Sequence, residues 1–306
     1  MIETKFLSID IGSNAMRASV AVLDQSHDLE VLETFRYPLR LGEDTFSEGR
    51  ISKRKFKKTE SAFADLLDKV EEFHIDHICA TATSAIRDAE NGAELIKSIQ
   101  SKFDIEIEMI DGLTEANLIA KAVSSVIDLN DRYCLLIDIG GGSTELIVTN
   151  GLKVLFAKSY QCGTVRLLEM QKSNSYLEEL HKITKQMLKD VQKCLDGNPI
   201  DTCVGTGGNL RRIGKLRNTF FNRHTSKIFQ SELVAIKQEV ESFSIQQRIH
   251  FLSMRPDRAD VIVPALQIIE DLLLGFDIPE IQLPTVGLKE GSIINLMKSQ
   301  PRTILS

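Results

Sequence analysis

The stretch LLIDIGGGSTELIV (Leu135–Val148) joins two runs of strand-forming residues through an aspartate, three consecutive glycines and two hydroxyl residues. A plain hairpin needs a glycine or two and gains nothing from an acid at the strand end. A ligand-binding turn gains from both. Glycines let successive backbone N–H groups point one way and approach an anion with no Cβ in between. Ser143 and Thr144 add hydroxyl donors, and Asp138 at the strand end can hold Mg²⁺ directly or through water. An earlier stretch, FLSIDIGSNAMRASVAVLD (Phe6–Asp24), follows the same plan of strand, Asp-Ile-Gly, small hydroxyl turn and second strand. The two copies lie 128 residues apart, Asp138 against Asp10.

Outward from these turns, strand-like runs recur at Lys5–Asp10, Ala15–Leu23, Leu29–Tyr37, His77–Thr83, Ile105–Ile110, Tyr133–Asp138, Glu145–Thr149, Leu152–Tyr160, Thr202–Gly205 and Glu280–Pro284. Segments of helical period lie between them. In Arg54–His74, residues Phe56, Phe63, Leu66, Leu67, Val70 and Phe73 share one face; in Tyr176–Leu195, so do Leu177, Leu180, Ile183, Met187, Val191 and Cys194. Glu115–Ser125, Asn209–Leu216, Glu232–Phe243, Ala259–Leu274 and Leu288–Lys298 are further helices. Strands interleaved with helices predict an α/β fold with a mixed sheet in each half. The internal repeat predicts two similar domains facing each other across a cleft. The expected boundary lies near residues 124–131, giving domains 1–125 and 126–306, with the last helix free to pack back on the first domain.

Composition narrows the function classes. With 306 residues, 42% hydrophobic and 26% charged, the chain has the make-up of a soluble protein with sizeable cores. Its 37 basic and 43 acidic residues give a net charge of −6, which argues against a general nucleic-acid binder. Five separated cysteines with no CxxC pair read as packed, reduced thiols of a cytoplasmic protein, and the six histidines show no metal-ligand spacing. His27-Asp28 reads as a polar surface turn. No basic-then-apolar leader and no apolar run of bilayer length are visible, so no membrane partner is expected.

Eight ordered blocks make a family resemblance specific. They are IDIGSNAMR (Ile9–Arg17), ATATSAIRDAENG (Ala80–Gly92), IDGLTEANLI (Ile110–Ile119), LLIDIGGGSTELIV, CGTVRL (Cys162–Leu167), VGTGGNLRRI (Val204–Ile213), RADVIVPAL (Arg258–Leu266) and VGLKEGSI (Val286–Ile293). Together they resemble the exopolyphosphatase / guanosine pentaphosphate phosphohydrolase (Ppx/GppA) family, within the superfamily of actin, hexokinase and heat-shock chaperones. The resemblance implies two ribonuclease H-like (actin-like ATPase) domains with mixed sheets flanking a central cleft. It also implies hydrolysis of inorganic polyphosphate, or of the 5′-γ-phosphate of guanosine pentaphosphate (pppGpp), with Mg²⁺ or Mn²⁺ as cofactor and a homodimer as a compatible assembly. Long relatives add a C-terminal helical domain; 306 residues match the short form.

The candidate site residues follow from the turns and the resemblance together. The phosphate-binding set is Gly12, Ser13 and Asn14, then Gly140, Gly141, Gly142, Ser143 and Thr144, with Gly207 and Gly208 in a third glycine turn. Gly205 to Gly208 read either as a ligand-facing turn or as a plain strand-to-helix turn. Asp10 and Asp138 are metal candidates, because a carboxylate at a buried strand end calls for a cation or donor. Glu145 joins them by resemblance, although spacing alone makes it an exposed strand residue. Glu115 is a favourable acid in a helix first turn or, by resemblance, the base that deprotonates the attacking water. Arg87 either pairs with Asp88 or Glu90, or presents its planar fork to a phosphoryl oxygen. Arg166, Arg211, Arg212 and Lys215 supply charge to a polyanion path or sit on a solvated face. Asn209 and Lys289 depart from the threonine and arginine usual in relatives. A small-molecule kinase of the same superfamily and a non-catalytic sensor of these phosphates stay open as alternatives.

Overall fold

The computed structural model describes residues 4–23, 29–130, 132–171 and 176–299. The chain forms two compact units, one of residues 1–122 and 286–306, the other of residues 123–285. The His27-Asp28 turn and the side chain of Leu177 lie outside the described residues.

The first unit opens with β1 (Lys5–Ile11), β2 (Met16–Leu23) and β3 (Leu29–Tyr37), followed by α1 (Leu41–Glu48), α2 (Lys53–Val70) and a 3₁₀ turn at Glu71–Phe73. It continues with β4 (His77–Ala82), α3 (Ser84–Asp88), α4 (Gly92–Phe103), β5 (Ile107–Met109) and α5 (Gly112–Ser124). Its sheet has the order β3-β2-β1-β4-β5, with antiparallel pairs in the β1–β3 meander and parallel pairs from β1 to β4 and β4 to β5. The second unit runs β6 (Tyr133–Ile139), β7 (Thr144–Asn150), β8 (Lys153–Tyr160), α6 (Thr164–Met170), α7 (Tyr176–Leu195), β9 (Thr202–Thr206) and α8 (Gly207–Phe221). Then come β10 (Lys227–Phe229), α9 (Gln230–Ser242), α10 (Ile245–Phe251), α11 (Pro256–Ala259), α12 (Ile262–Gly275) and β11 (Glu280–Gln282). Its sheet order is β10-β11-β9-β6-β7-β8, so β8-β7-β6-β9-β11 repeats the first sheet strand for strand. The last helix, α13 (Leu288–Ser299), packs on β1 in the first unit.

The repeat extends to detail. Leu7, Ile9 and Ile11 face one hydrophobic core, and Leu135, Ile137 and Ile139, each 128 positions later, face the other. The register shifts after Val20 on β2 and after Val148 on β7, again 128 apart. Tyr37 ends β3 and donates to Asp65 of α2 at 2.8 Å; Tyr160 ends β8 and donates to Asp190 of α7 at 2.8 Å. Both faces of β1 and β6 are buried, and Asp10 and Asp138 stand near the strand ends on the face opposite these core residues. Full burial of each such leucine or isoleucine contributes about 1.5–3 kcal/mol.

Some expectations shift. The expected helix over Ala259–Leu274 is α12 with a later start at Ile262, and Ala259 instead ends the short helix α11, because Pro264 lacks an N–H and its ring would collide with the carbonyl four residues back. Pro264 is tolerated only in a first turn, so the helix restarts at Ile262. On α2 the buried stripe is Lys55, Thr59, Ala62, Phe63, Leu66 and Val70, with Phe56 and Leu67 partly buried against the same core, so Lys55 joins Phe56 on the inward side of the first turn. Among the described helices, none is long and apolar enough to cross a membrane.

Candidate active site

In the first unit, β1 ends at the Asp10–Asn14 loop. Gly12 N–H donates to Ala15 O at 3.2 Å and closes the turn. Asp10 is buried, opposite Arg17 on β2 and Thr81 on β4, with Arg17 Nη1 3.8 Å from its carboxylate. The loop is held from below by the start of α1: Arg40 N–H donates to Asn14 O and Gly42 N–H to Ser13 O, both at 2.9 Å. Ser13 Oγ and Ser84 Oγ lie 2.8 Å apart, which joins the loop to α3. These bonds fix the carbonyls of Ser13 and Asn14 against α1.

The second unit repeats the device. Gly140 N–H donates to Ser143 O at 3.0 Å, closing the equivalent turn. The start of α6 takes the loop carbonyls: Thr164 N–H donates to Gly140 O at 3.0 Å and Val165 N–H to Gly141 O at 2.8 Å. Arg166 Nε donates to Gly142 O at 2.9 Å. Gly163 is the residue that lets α6 come this close. A Cβ on it would lie 2.4 Å from backbone atoms of Gly141 and Gly142. Thr144 Oγ donates to Cys162 O, and burial pushes the Cys162 thiol up to about 12, which makes it packing rather than a nucleophile.

Asp138 and Glu145 face each other across β6 and β7 and offer carboxylate oxygens within 4.8 Å of each other. Glu145 is 0% exposed, so the surface position that spacing alone suggested is wrong. Each acid is anchored through one oxygen. Thr206 Oγ donates to Asp138 Oδ1 at 2.7 Å, and Ser159 Oγ donates to Glu145 Oε1 at 2.7 Å. Like charges directly opposite on a sheet repel, and buried ones repel strongly. Two anchored, buried carboxylates at this separation fit a hard divalent cation with oxygen ligands.

Glu115 lies in the first turn of α5 and is 8% exposed. Asp111 caps that helix: its Oδ1 accepts from Thr114 N–H at 2.7 Å, and this amide holds the Asp111 carboxyl below the usual range. Arg87 donates through Nη1 to Ile110 O at 2.9 Å and sits 3.7 Å from Asp88 through Nε. It therefore braces the segment leading into α5 as well as neighbouring Asp88.

At the third glycine turn, Gly207 opens α8 beside Asp138 and Gly208 follows in its first turn. Asn209 is buried. Its Nδ2 donates to Ile139 O at 2.9 Å and its Oδ1 accepts from Arg258 Nη1 at 2.5 Å. Asn209 thus ties the end of β6 to the RAD block. Arg211 donates to Thr285 O at 3.2 Å, Arg212 donates to Leu252 O, and Lys215 is exposed. Sequence reasoning passed over the Arg40-Leu41-Gly42 segment, whose amides carry the first loop. The repeat supplies the signal that finds it, since the second loop is carried in the same way by Gly163-Thr164-Val165.

Comparison with known proteins agrees with this frame. A Haemophilus influenzae protein provisionally named as an exopolyphosphatase is 23% identical over 297 residues, covering 95% of this chain and 91% of its own. The crystal structure of an exopolyphosphatase from Cytophaga hutchinsonii superposes with a TM-score of 0.89 at 22% identity, covering 97% of this chain and 99% of the other. The Ppx/GppA family member of Aquifex aeolicus superposes with a TM-score of 0.79 at 22% identity, over 98% and 100% of the chains. At such identities the superpositions establish the two-domain actin-like fold. The sequence profile of the Ppx/GppA phosphatase family matches residues 19–300, and the duplicated loops, their strand-end acids and the fold are therefore those of a chain that belongs to the Ppx/GppA phosphatase family.

Proposed function

We propose that the chain is a metal-assisted phosphoanhydride hydrolase that releases terminal orthophosphate from inorganic polyphosphate, with the 5′-γ-phosphate of pppGpp as the second substrate of the same chemistry. The observation that carries the reading is the duplicated loop, closed and strapped alike in both units, in a chain of a phosphatase family. Relatives named as exopolyphosphatases favour polyphosphate as the first substrate to test.

In this reading, the Ser13-Asn14 and Gly141–Ser143 segments offer amides and hydroxyls to phosphoryl oxygens, while Gly12 and Gly140 shape the turns by donating within them and Thr144 fixes its turn through Cys162 O. Asp138 and Glu145 would hold a divalent cation (Mg²⁺ or Mn²⁺), which would offset negative charge on the phosphate chain, and Asp10 is the corresponding metal candidate of the first unit. Glu115 accepts the proton of the attacking water and directs it in line with the leaving oxygen. Arg87 keeps Glu115 in place through the Ile110 carbonyl. Phosphoryl transfer asks little covalent chemistry of a protein, so positioning and charge stabilisation supply most of the rate. The test is phosphate release from long polyphosphate, tripolyphosphate and pppGpp, assayed side by side with Mg²⁺, with Mn²⁺ and with chelator. Metal-dependent release from at least one substrate is expected; tight binding of all three with no release would replace the hydrolase with a sensor.

A further inference from the structure

The first turn of α2 buries a lysine where an apolar residue would be ordinary. Lys55 is 2% exposed and shares its face with Thr59, Ala62 and Phe63. Its ammonium donates to Arg40 O and to Glu43 Oε2 at 3.0 Å, and lies 2.8 Å from Asp44 Oδ1. Three protons thus meet three oxygens, which is what makes a buried ammonium tolerable. All three acceptors belong to the N-terminal turn of α1, with Arg40 as its N-cap. Asp44 accepts in addition from Ser52 N–H at 3.0 Å, and Arg40 Nε donates to Glu43. Arg40 itself holds a left-handed backbone, φ 54°, a conformation that a non-glycine residue keeps only where its surroundings enforce it.

That same turn carries the first phosphate loop. Arg40 and Gly42 donate the two amides that engage Asn14 and Ser13. Thr45 Oγ, one turn along α1, donates to Ala85 O at 3.0 Å, so α1 also braces the helix bearing Arg87. The second loop has the same backbone strap from the start of α6, and to it Arg166 adds a side-chain bond that reaches Gly142 O directly.

We propose that Lys55 is a positioning residue for the first phosphate loop: by locking the N-terminal turn of α1 it fixes where the Ser13 and Asn14 carbonyls sit, and so where the loop amides point. The inference rests on the reading of this loop as a phosphoryl-binding element. The two halves therefore use different cations on equivalent loops, a lysine acting through a helix in one and an arginine acting directly in the other.

Two variants test this, Lys55→Met and the neutralised Lys55→Met/Glu43→Gln/Asp44→Asn. The readouts are Tm, hydrogen exchange at the Arg40 and Gly42 amides without substrate, and KM against kcat on polyphosphate. Lys55→Met should lower Tm, speed exchange at both amides and raise KM about tenfold, with a smaller change in kcat. The neutralised variant should recover Tm, because no unpaired buried charge remains, yet keep fast exchange and high KM. A lysine needed only for stability would let all three readouts recover together, which would overturn the proposal. So would unchanged exchange at both amides in Lys55→Met. The exchange readout needs no turnover, so the proposal can fail or stand separately from the hydrolase reading.

Discussion

A methyl group on Gly163 would meet the backbone of Gly141 and Gly142 at 2.4 Å. The backbone there has φ −106°, ordinary for any residue, so the requirement is space alone. Gly163→Ala should therefore push the triple-glycine turn away from α6 and cost on the order of 10²-fold in kcat/KM, with secondary structure intact by circular dichroism. Wild-type turnover in this variant would show that the loop is not the binding element. The acids around Lys55 give a pH prediction. Burial raises Glu43 and Asp44, but Lys55 hydrogen bonds, with Ser52 on Asp44 and Arg40 on Glu43, bring both below their ordinary values. A lowered folded-state pKa contributes stability that is fully present above the unfolded value, about 4, and is lost as pH falls from there through the lower folded-state pKa. Lys55→Met removes most of that contribution, so the Tm gap between wild type and variant should be widest above about pH 4 and narrow as pH falls below it; a gap that stays constant through this range would contradict the assignment.

At the scale of elements, the helix carrying Glu115 is set by its neighbours. Asp111 caps α5, Arg87 holds the carbonyl before the cap, and α13 presses on α5 at Gly291, where a Cβ would lie 2.0 Å from Leu118 O. Gly291→Ala should displace α5 and lower kcat with little change in KM, since the base moves while the loops of the second unit stay. Equal losses in kcat and binding would count against this division of labour. The strands flanking both loops and the amphipathic face of α7 were readable from period alone. Lys55 was not, because a hydrophobic period cannot anticipate a buried cation whose partners lie on a helix before it. The break between α11 and α12 was signalled by Pro264, but its position within the first turn depends on packing that no local pattern records.

At the scale of the molecule, the duplication explains why one motif found twice predicted so much. Equivalent residues 128 apart share core faces and a register shift, and each half ends its third strand in a tyrosine bound to a helix aspartate. What period and motif could not give was the depth of Glu145 or the link from Asn209 to Arg258, both set by neighbouring strands and helices distant in sequence. If Asp138 and Glu145 hold the cation, Mg²⁺ at a hundred times its Kd should stabilise the protein by about 2.7 kcal/mol. Glu145→Gln should remove most of the corresponding rise in Tm; an unchanged rise would place the metal elsewhere. The central claim is that Glu115 activates water in a phosphoanhydride hydrolase. Single-turnover phosphate release from polyphosphate under saturating Mg²⁺ tests it most directly, wild type against Glu115→Gln. The account predicts a fall of about 10²–10⁴-fold with substrate binding retained; equal rates in the two proteins would contradict it.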